Sequence, residues 1–167
     1  MFPKKIGLIV LSIFLLIGCQ ATTEELLDSS NTIFQESFVQ QYDGDKVELE
    51  QIKFSLPANM EVQEETEYNV LLKDGEQLYL LFFNPAEADD SELNFVRDQQ
   101  HEEEALLFET FEDKGKFAYL LVTQEEDKQF KVIIGIGGAK LTTITTDRNL
   151  EESTTAMLEI LNTIEYK

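Results

Sequence analysis

The sequence is poor in the residues that build most catalytic and metal centres. Its 167 residues include one cysteine, one histidine and no tryptophan. A single thiol excludes an intramolecular disulfide framework and any multi-cysteine zinc site, and a lone histidine leaves few ways to assemble a metal or triad centre. Basic residues are scarce too: 13 Lys and Arg stand against 33 Asp and Glu, for a formal charge of −20. That balance offers no surface to neutralise phosphates, so nucleic acid is not an expected partner. Only 3 prolines interrupt a chain that is 43% hydrophobic. That is enough apolar material for the core of one domain, and too much for a disordered chain.

What is present begins at the amino terminus. Lys4 and Lys5 precede an apolar run, Ile6 to Ile17, broken only by Gly7 and Ser12. A helix needs ~20 apolar residues to span a bilayer, so this shorter run reads as the hydrophobic region of a signal peptide. It leads directly into Leu16-Ile17-Gly18-Cys19, a small residue before a cysteine with apolar residues ahead of it. That tetrapeptide resembles the lipobox of bacterial lipoproteins. The resemblance implies diacylglyceryl transfer to the Cys19 thiol, cleavage between Gly18 and Cys19, and acylation or retention of the new amino terminus, with acyl chains of the palmitate kind. Two chains anchor stably where one binds only marginally. The expected location is therefore the outer face of a bacterial cytoplasmic membrane, with bilayer lipid as a partner through acylated Cys19. Cleavage removes Lys4 and Lys5 and no acid, so an anionic bilayer repels the remaining body over a Debye length of ~8 Å.

The chain divides into three parts: residues 1–18 as signal peptide, 19–46 as a lipidated acidic tether, and 47–167 as a globular domain. Within the tether Leu26, Leu27, Ile33, Phe34, Phe38 and Val39 recur near helical spacing. Two readings stay open there, a short amphipathic helix docked on the domain or disorder. Asp43-Gly44 signals a turn before the domain. Ile52, Phe54 and Leu56 alternate with polar residues until Pro57 stops the strand. Val70 to Lys73 and Glu76 to Phe83 read as strands joined by a type I′ turn at Asp74-Gly75. Ala88 to Glu104 reads as a helix capped by Ser91, with Leu93, Val96, Gln100 and Glu104 along one side and Phe95 adding apolar surface. Four strands follow, Leu106 to Phe111, Lys116 to Thr123, Gln129 to Ile136 and Ala139 to Thr145. Asn149 to Asn162 closes the chain as a helix with Asn149 and Glu152 as a capping box. Its core face is Leu150, Met157, Leu158 and Leu161, continued by Ile164. The predicted class is α+β, an antiparallel β-sheet meander flanked by helices.

Lys53-Phe54-Ser55-Leu56-Pro57 resembles the opening strand of the PsbP-like fold. The turn-linked strands through Ile136-Gly137-Gly138-Ala139-Lys140-Leu141-Thr142-Thr143, with the closing helix and Ile164-Glu165-Tyr166, are similar to its final half. The resemblance implies an α/β/α sandwich over roughly Val47 to Lys167. It carries no functional residue onto this chain, and a shared fold does not assign a function.

The candidate chemistry is thin. A G-x-G-x-x-G run begun at Gly135 needs glycine where Lys140 stands, so Gly137-Gly138 reads as a hairpin turn rather than a phosphate cradle. His101 lies beside Glu102-Glu103-Glu104 with no histidine four residues on, and reads as a solvated surface residue. The other acidic runs, Glu64-Glu65-Thr66-Glu67, Glu87 to Glu92 and Glu125-Glu126-Asp127, lack the spacing of a calcium loop and serve solubility. No catalytic residue, cofactor or metal ligand is expected. The function read from the sequence is a non-enzymatic binding or accessory domain in the cell envelope, with an envelope protein, peptide or small ligand as partner. The competing reading is a carboxylate-dependent envelope hydrolase.

Overall fold

The computed structural model describes residues 21–38, 40, 42, 44 and 46–167. The cleavage and lipidation expected at Gly18 and Cys19 lie outside the described residues, as do Val39 and Asp43. The first helix, α1, runs Thr23–Phe38. Thr22 and Glu25 cap it reciprocally: the Glu25 carboxylate accepts from the Thr22 N–H at 2.8 Å, and Thr22 Oγ1 accepts from the Glu25 N–H at 3.2 Å. Phe34 and Phe38 are buried in the main core, with Leu26, Leu27 and Ile33 packed against it. Of the two readings of this stretch the docked helix is therefore the observed one. Among the described residues the folded body includes α1 from Thr23, and the acidic segment is not a tether over this length.

Ten strands follow. β1 (Lys46–Glu48), β2 (Ile52–Ser55) and β10 (Glu165–Tyr166) form a small sheet in the order β1-β2-β10. The large sheet is wholly antiparallel, in the order β3-β4-β5-β9-β8-β7-β6. Its strands are β3 (Met60–Glu65), β4 (Asn69–Asp74), β5 (Gln77–Phe83), β6 (Ala105–Asp113), β7 (Lys116–Glu126), β8 (Gln129–Ile136) and β9 (Ala139–Thr146). The four strands expected after residue 105 are all present. β3 was not expected: only Met60 and Val62 of Met-Glu-Val-Gln-Glu-Glu face the core, and the acids on this edge strand hide the alternation. The β4–β5 turn is Gly75-Glu76 rather than Asp74-Gly75, because Asp74 pairs with Gln77. Gly75 alone there takes a positive φ, which is the pattern of a II′ rather than a I′ turn.

One face of the large sheet meets a helix layer. Helix α3 (Leu150–Asn162) packs on β8 and β9 and against α1. Leu150, Met157, Leu158 and Leu161 are buried as the periodicity predicts, and Ile160 joins them. Asn149 is the N-cap residue, but its side chain makes no capping bond, so the expected box with Glu152 does not form.

The segment expected as one long helix from Ala88 is shorter and faces the other way. It is helix α2 (Leu93–Asp98) followed by a 3₁₀ turn, Gln99–Glu104. Its buried residues are Asn94 and Asp98, while Leu93 and Val96 are exposed. Ser91 Oγ receives the Leu93 N–H at 3.3 Å and itself donates to Glu87 at 2.6 Å. Apolar spacing misleads here because the buried positions of the helix are polar, and of its apolar residues only Phe95 packs on the sheet.

Candidate functional site

Helix α2 covers one end of the outer sheet face. Phe95 inserts among Phe108, Phe117 and Tyr119, with ring centroids 5.3, 5.3 and 5.8 Å away. Beneath it lies a buried polar group. Tyr119 Oη donates to Asp98 Oδ2 at 2.5 Å, and Lys140 Nζ donates to both Asp98 oxygens at 3.1 and 3.2 Å. Desolvation, then the Asp98 carboxylate it bonds, pushes the Tyr119 hydroxyl well above the ordinary phenol range. Gly135 makes the room: a Cβ there would stand 2.1 Å from Tyr119 Cε1. The Asn94 amide donates to the Gly137 carbonyl at 3.3 Å, which fastens α2 to the β8–β9 turn. That turn is Gly137-Gly138, as expected. Gly137 has φ +50°, and a Cβ on it would meet the Ala88 carbonyl at 2.7 Å.

The rest of the outer face is open. Side chains alternate across a sheet, and the burial of Tyr79, Leu81 and Phe83 turns Leu78, Leu80 and Phe82 outward. Register places Leu71 beside Leu80, Lys73 beside Leu78, Thr142 beside Leu80, Lys140 beside Phe82 and Lys131 beside Ile144. Leu78, Leu80 and Ile144 are exposed for 50, 47 and 52% of their surface. The other outward positions of these four strands are Asn69, Gln129, Ile133, Gly135 and Thr146. No carboxylate stands at any outward position of β4, β5, β9 or β8, although the chain carries 33 acids. Carboxylates return at the margins, with Glu61 opposite Lys73 on edge strand β3 and Glu125 3.8 Å from Lys131.

Where this strip meets α2, a cavity of about 300 Å³ opens. Tyr68, Phe82 and Leu93 form its apolar side; Asn84, Glu87, Asn94 and Arg97 form its polar side. Two wider clefts have polar linings that are partly paired within the chain, although the buried Tyr42 hydroxyl at the first has no partner. One, of about 610 Å³, has Lys46 paired with Glu165 and Lys114 3.5 Å from Asp113. The other, of about 630 Å³, lies at the start of α3. At its wall Gln77 donates to Thr143 and Ser153, both at 3.0 Å, and the Thr145 and Ser153 hydroxyls share a bond at 2.8 Å.

His101 sits on the 3₁₀ turn, partly buried, 3.3 Å from the Gln100 amide nitrogen, and lines none of these cavities. Glu102, Glu103 and Glu104 beside it are exposed. Among the described residues no group of three or more His, Cys, Asp or Glu gathers around a point that could hold a metal ion. No helix among them is long and apolar enough to cross a membrane. The sequence reading missed the open strip and the Asp98–Tyr119–Lys140 group. The sequence holds only alternate positions free of acid within each strand, which strand order joins into one face, and Asn94 and Asp98 one helical turn apart.

Together these elements define an α+β protein built on antiparallel sheets flanked by helices. No family model matches the chain, and a comparison with curated proteins returns no match. Among solved structures, a crystal structure from Bacteroides thetaiotaomicron aligns over 75% of this chain at 13% identity, with a TM-score of 0.42. The alignment covers 49% of that structure's chain, so this chain spans about half its length. A likeness at that level carries no argument about function.

Proposed function

We propose that this chain is a lipid-anchored bacterial envelope protein whose domain works by binding a partner, not by catalysis, on the outer face of its large sheet. The observation that carries the reading is the strip itself. A chain with 33 acids gains solubility by spreading them over its surface, yet the outward positions of four adjacent strands leave them out and expose leucine and isoleucine instead. Leu16-Ile17-Gly18-Cys19 supports the anchor, with Cys19 as the diacylglyceryl carrier, Gly18 and Cys19 as the cleavage pair, and the outer face of the cytoplasmic membrane as the location. We read the domain as a PsbP-like α/β/α sandwich, supported by α1 and α3 on one sheet face and α2 on the other. The anchoring half is tested by growing cells on labelled palmitate. Label should be lost in Cys19→Ala, leaving an unprocessed or freely released protein; a processed Cys19→Ala product that stays fully in the membrane would refute it. The binding half is tested by substituting Leu80→Glu in cells. The variant should stay folded and anchored while losing the crosslinks that a photoreactive residue at position 78 forms in the parent chain. Unchanged crosslinks would refute it.

A further inference from the structure

We infer that the occupant of the outer face is an acidic polypeptide segment with apolar anchor side chains; this rests on the binding reading above and names its partner. Three observations select that chemistry. The first is charge. The outward positions of the strip carry lysine and no carboxylate in a strongly anionic molecule: Lys73 and Lys131 flank Leu78 and Ile144, with Glu61 and Glu125 only at the margins, and Arg97 stands with Glu87 at the adjoining cavity. A partner with carboxylates around an apolar centre meets attraction here and repulsion over the rest of the surface, which fixes both orientation and approach.

The second observation is shape. The cavity of about 300 Å³ between Phe82, Tyr68 and Leu93 continues the strip and takes one projecting side chain, with Arg97 and Glu87 on its polar side. Interfaces concentrate their energy where an anchor fills such a pocket within an apolar surround. A bilayer surface presents no projecting knob to fill it, so the cavity favours a polypeptide over a lipid surface.

The third is self-exclusion. In a two-fold pairing of this face with a second copy, both sides carry the same patch, with lysine and no carboxylate at the outward positions of β4, β5, β9 and β8. Each copy also brings a charge of −20. Such a pairing gains apolar contact, but within the strip itself no charge complementarity.

The experiment is selection of short random displayed peptides on the full chain held in mild detergent, followed by affinity measurements on the synthesised winners. The expected winners are net negative with leucine, isoleucine or aromatic residues. They weaken with added NaCl, and lose about tenfold or more in affinity for Leu80→Glu and for the Lys73→Glu/Lys131→Glu pair. Circular dichroism melting checks that each variant is folded, and Leu78→Ser replaces Leu80→Glu if that variant does not fold. Neutral or basic winners that still depend on Leu80 would overturn the acidic partner while leaving the face as a binding surface. Winners indifferent to every variant, or no winners, would remove the face and the reading it rests on. Leu80-dependent binding of phosphatidylglycerol vesicles would overturn the inference in favour of a bilayer. A Leu80-dependent dimer in sedimentation would overturn it in favour of a second copy.

Discussion

Replacing Asp98 with alanine removes one carboxylate and strands two partners. Tyr119 Oη is buried and loses its acceptor, and an unsatisfied buried hydroxyl costs about 1–3 kcal/mol. Lys140 loses both carboxylate oxygens, but its side chain keeps 22% of its exposure and can rehydrate in part. The ~3–5 kcal/mol typical of breaking a fully buried pair is therefore an upper bound for that half. We expect Asp98→Ala to cost about 3 kcal/mol in all, or a fall in melting temperature of ~6–12 °C for a chain of this size. Lys140→Met should cost less, because Tyr119 still donates to the carboxylate. Tyr119→Phe should cost about 1–2 kcal/mol, since Lys140 still pairs with Asp98. The decisive quantity is the coupling: Asp98→Ala with Lys140→Met should cost at least about 1 kcal/mol less than the two separately. Urea unfolding of the full chain gives all of these energies. Hydrogen exchange over residues 93–104 shows whether the loss is local, as expected for a helix too short to persist alone. An Asp98→Ala cost below about 0.5 kcal/mol, or strict additivity, would refute the argument that this group holds α2 in place.

Three further outcomes follow from other parts of the structure. Phe34→Ala should cost about 3–5 kcal/mol by thermal melting, because the ring is fully buried between α1 and the core; a cost under about 1 kcal/mol would make α1 dispensable. Glu165 bonds Lys46 and Lys53, which hold its carboxyl down at about 2 from the usual 4.5. A depressed pKa stabilises the native state fully above the unfolded value, and that contribution goes as pH falls through the folded one. Carboxyl NMR should place the Glu165 midpoint near 2 in the parent chain and higher in Lys53→Ala; an ordinary midpoint in the parent would show that the pairs holding β10 are not formed. Calcium at ~1 mM should barely move the melting temperature at ~0.15 M salt, since screened, scattered carboxylates do not gather the six to eight oxygens a site needs. A saturable shift of several degrees that chelator removes and NaCl does not would overturn that.

The hairpins and the closing helix were legible because their signals are local. Gly75, Gly115 and Gly137 mark three turns, and Leu150, Met157, Leu158 and Leu161 repeat at the helical period. Helix α2 was misread because periodicity counts apolar residues, while the bonds that seat this helix come from Asn94 and Asp98 through tertiary partners at Gly137, Tyr119 and Lys140. β3 was lost for the opposite reason: an edge strand needs only Met60 and Val62 inside, and its acids look like a loop. The open strip needed strand order to become visible. Ile144 is far in sequence from the hairpin that carries Leu71 and Leu80, and joins that face only through the pairing of β5 with β9.

The early start of α1 changes the mechanics of attachment. If Cys19 carries the lipid, the link to the first helical residue, Thr23, is at most about 3.6 Å per residue, so the leash reaches roughly 15 Å rather than the length of a 19–46 tether. It leaves the body near Asp147, Arg148 and Glu151, where Ala21 and Leu26 share a cleft with them. That corner belongs to the helix layer, on the far side of the sheet from Leu78, Leu80 and Ile144. A molecule so moored would have little room to sweep the space above the bilayer, and a partner would have to come within a few nanometres of the membrane to meet it.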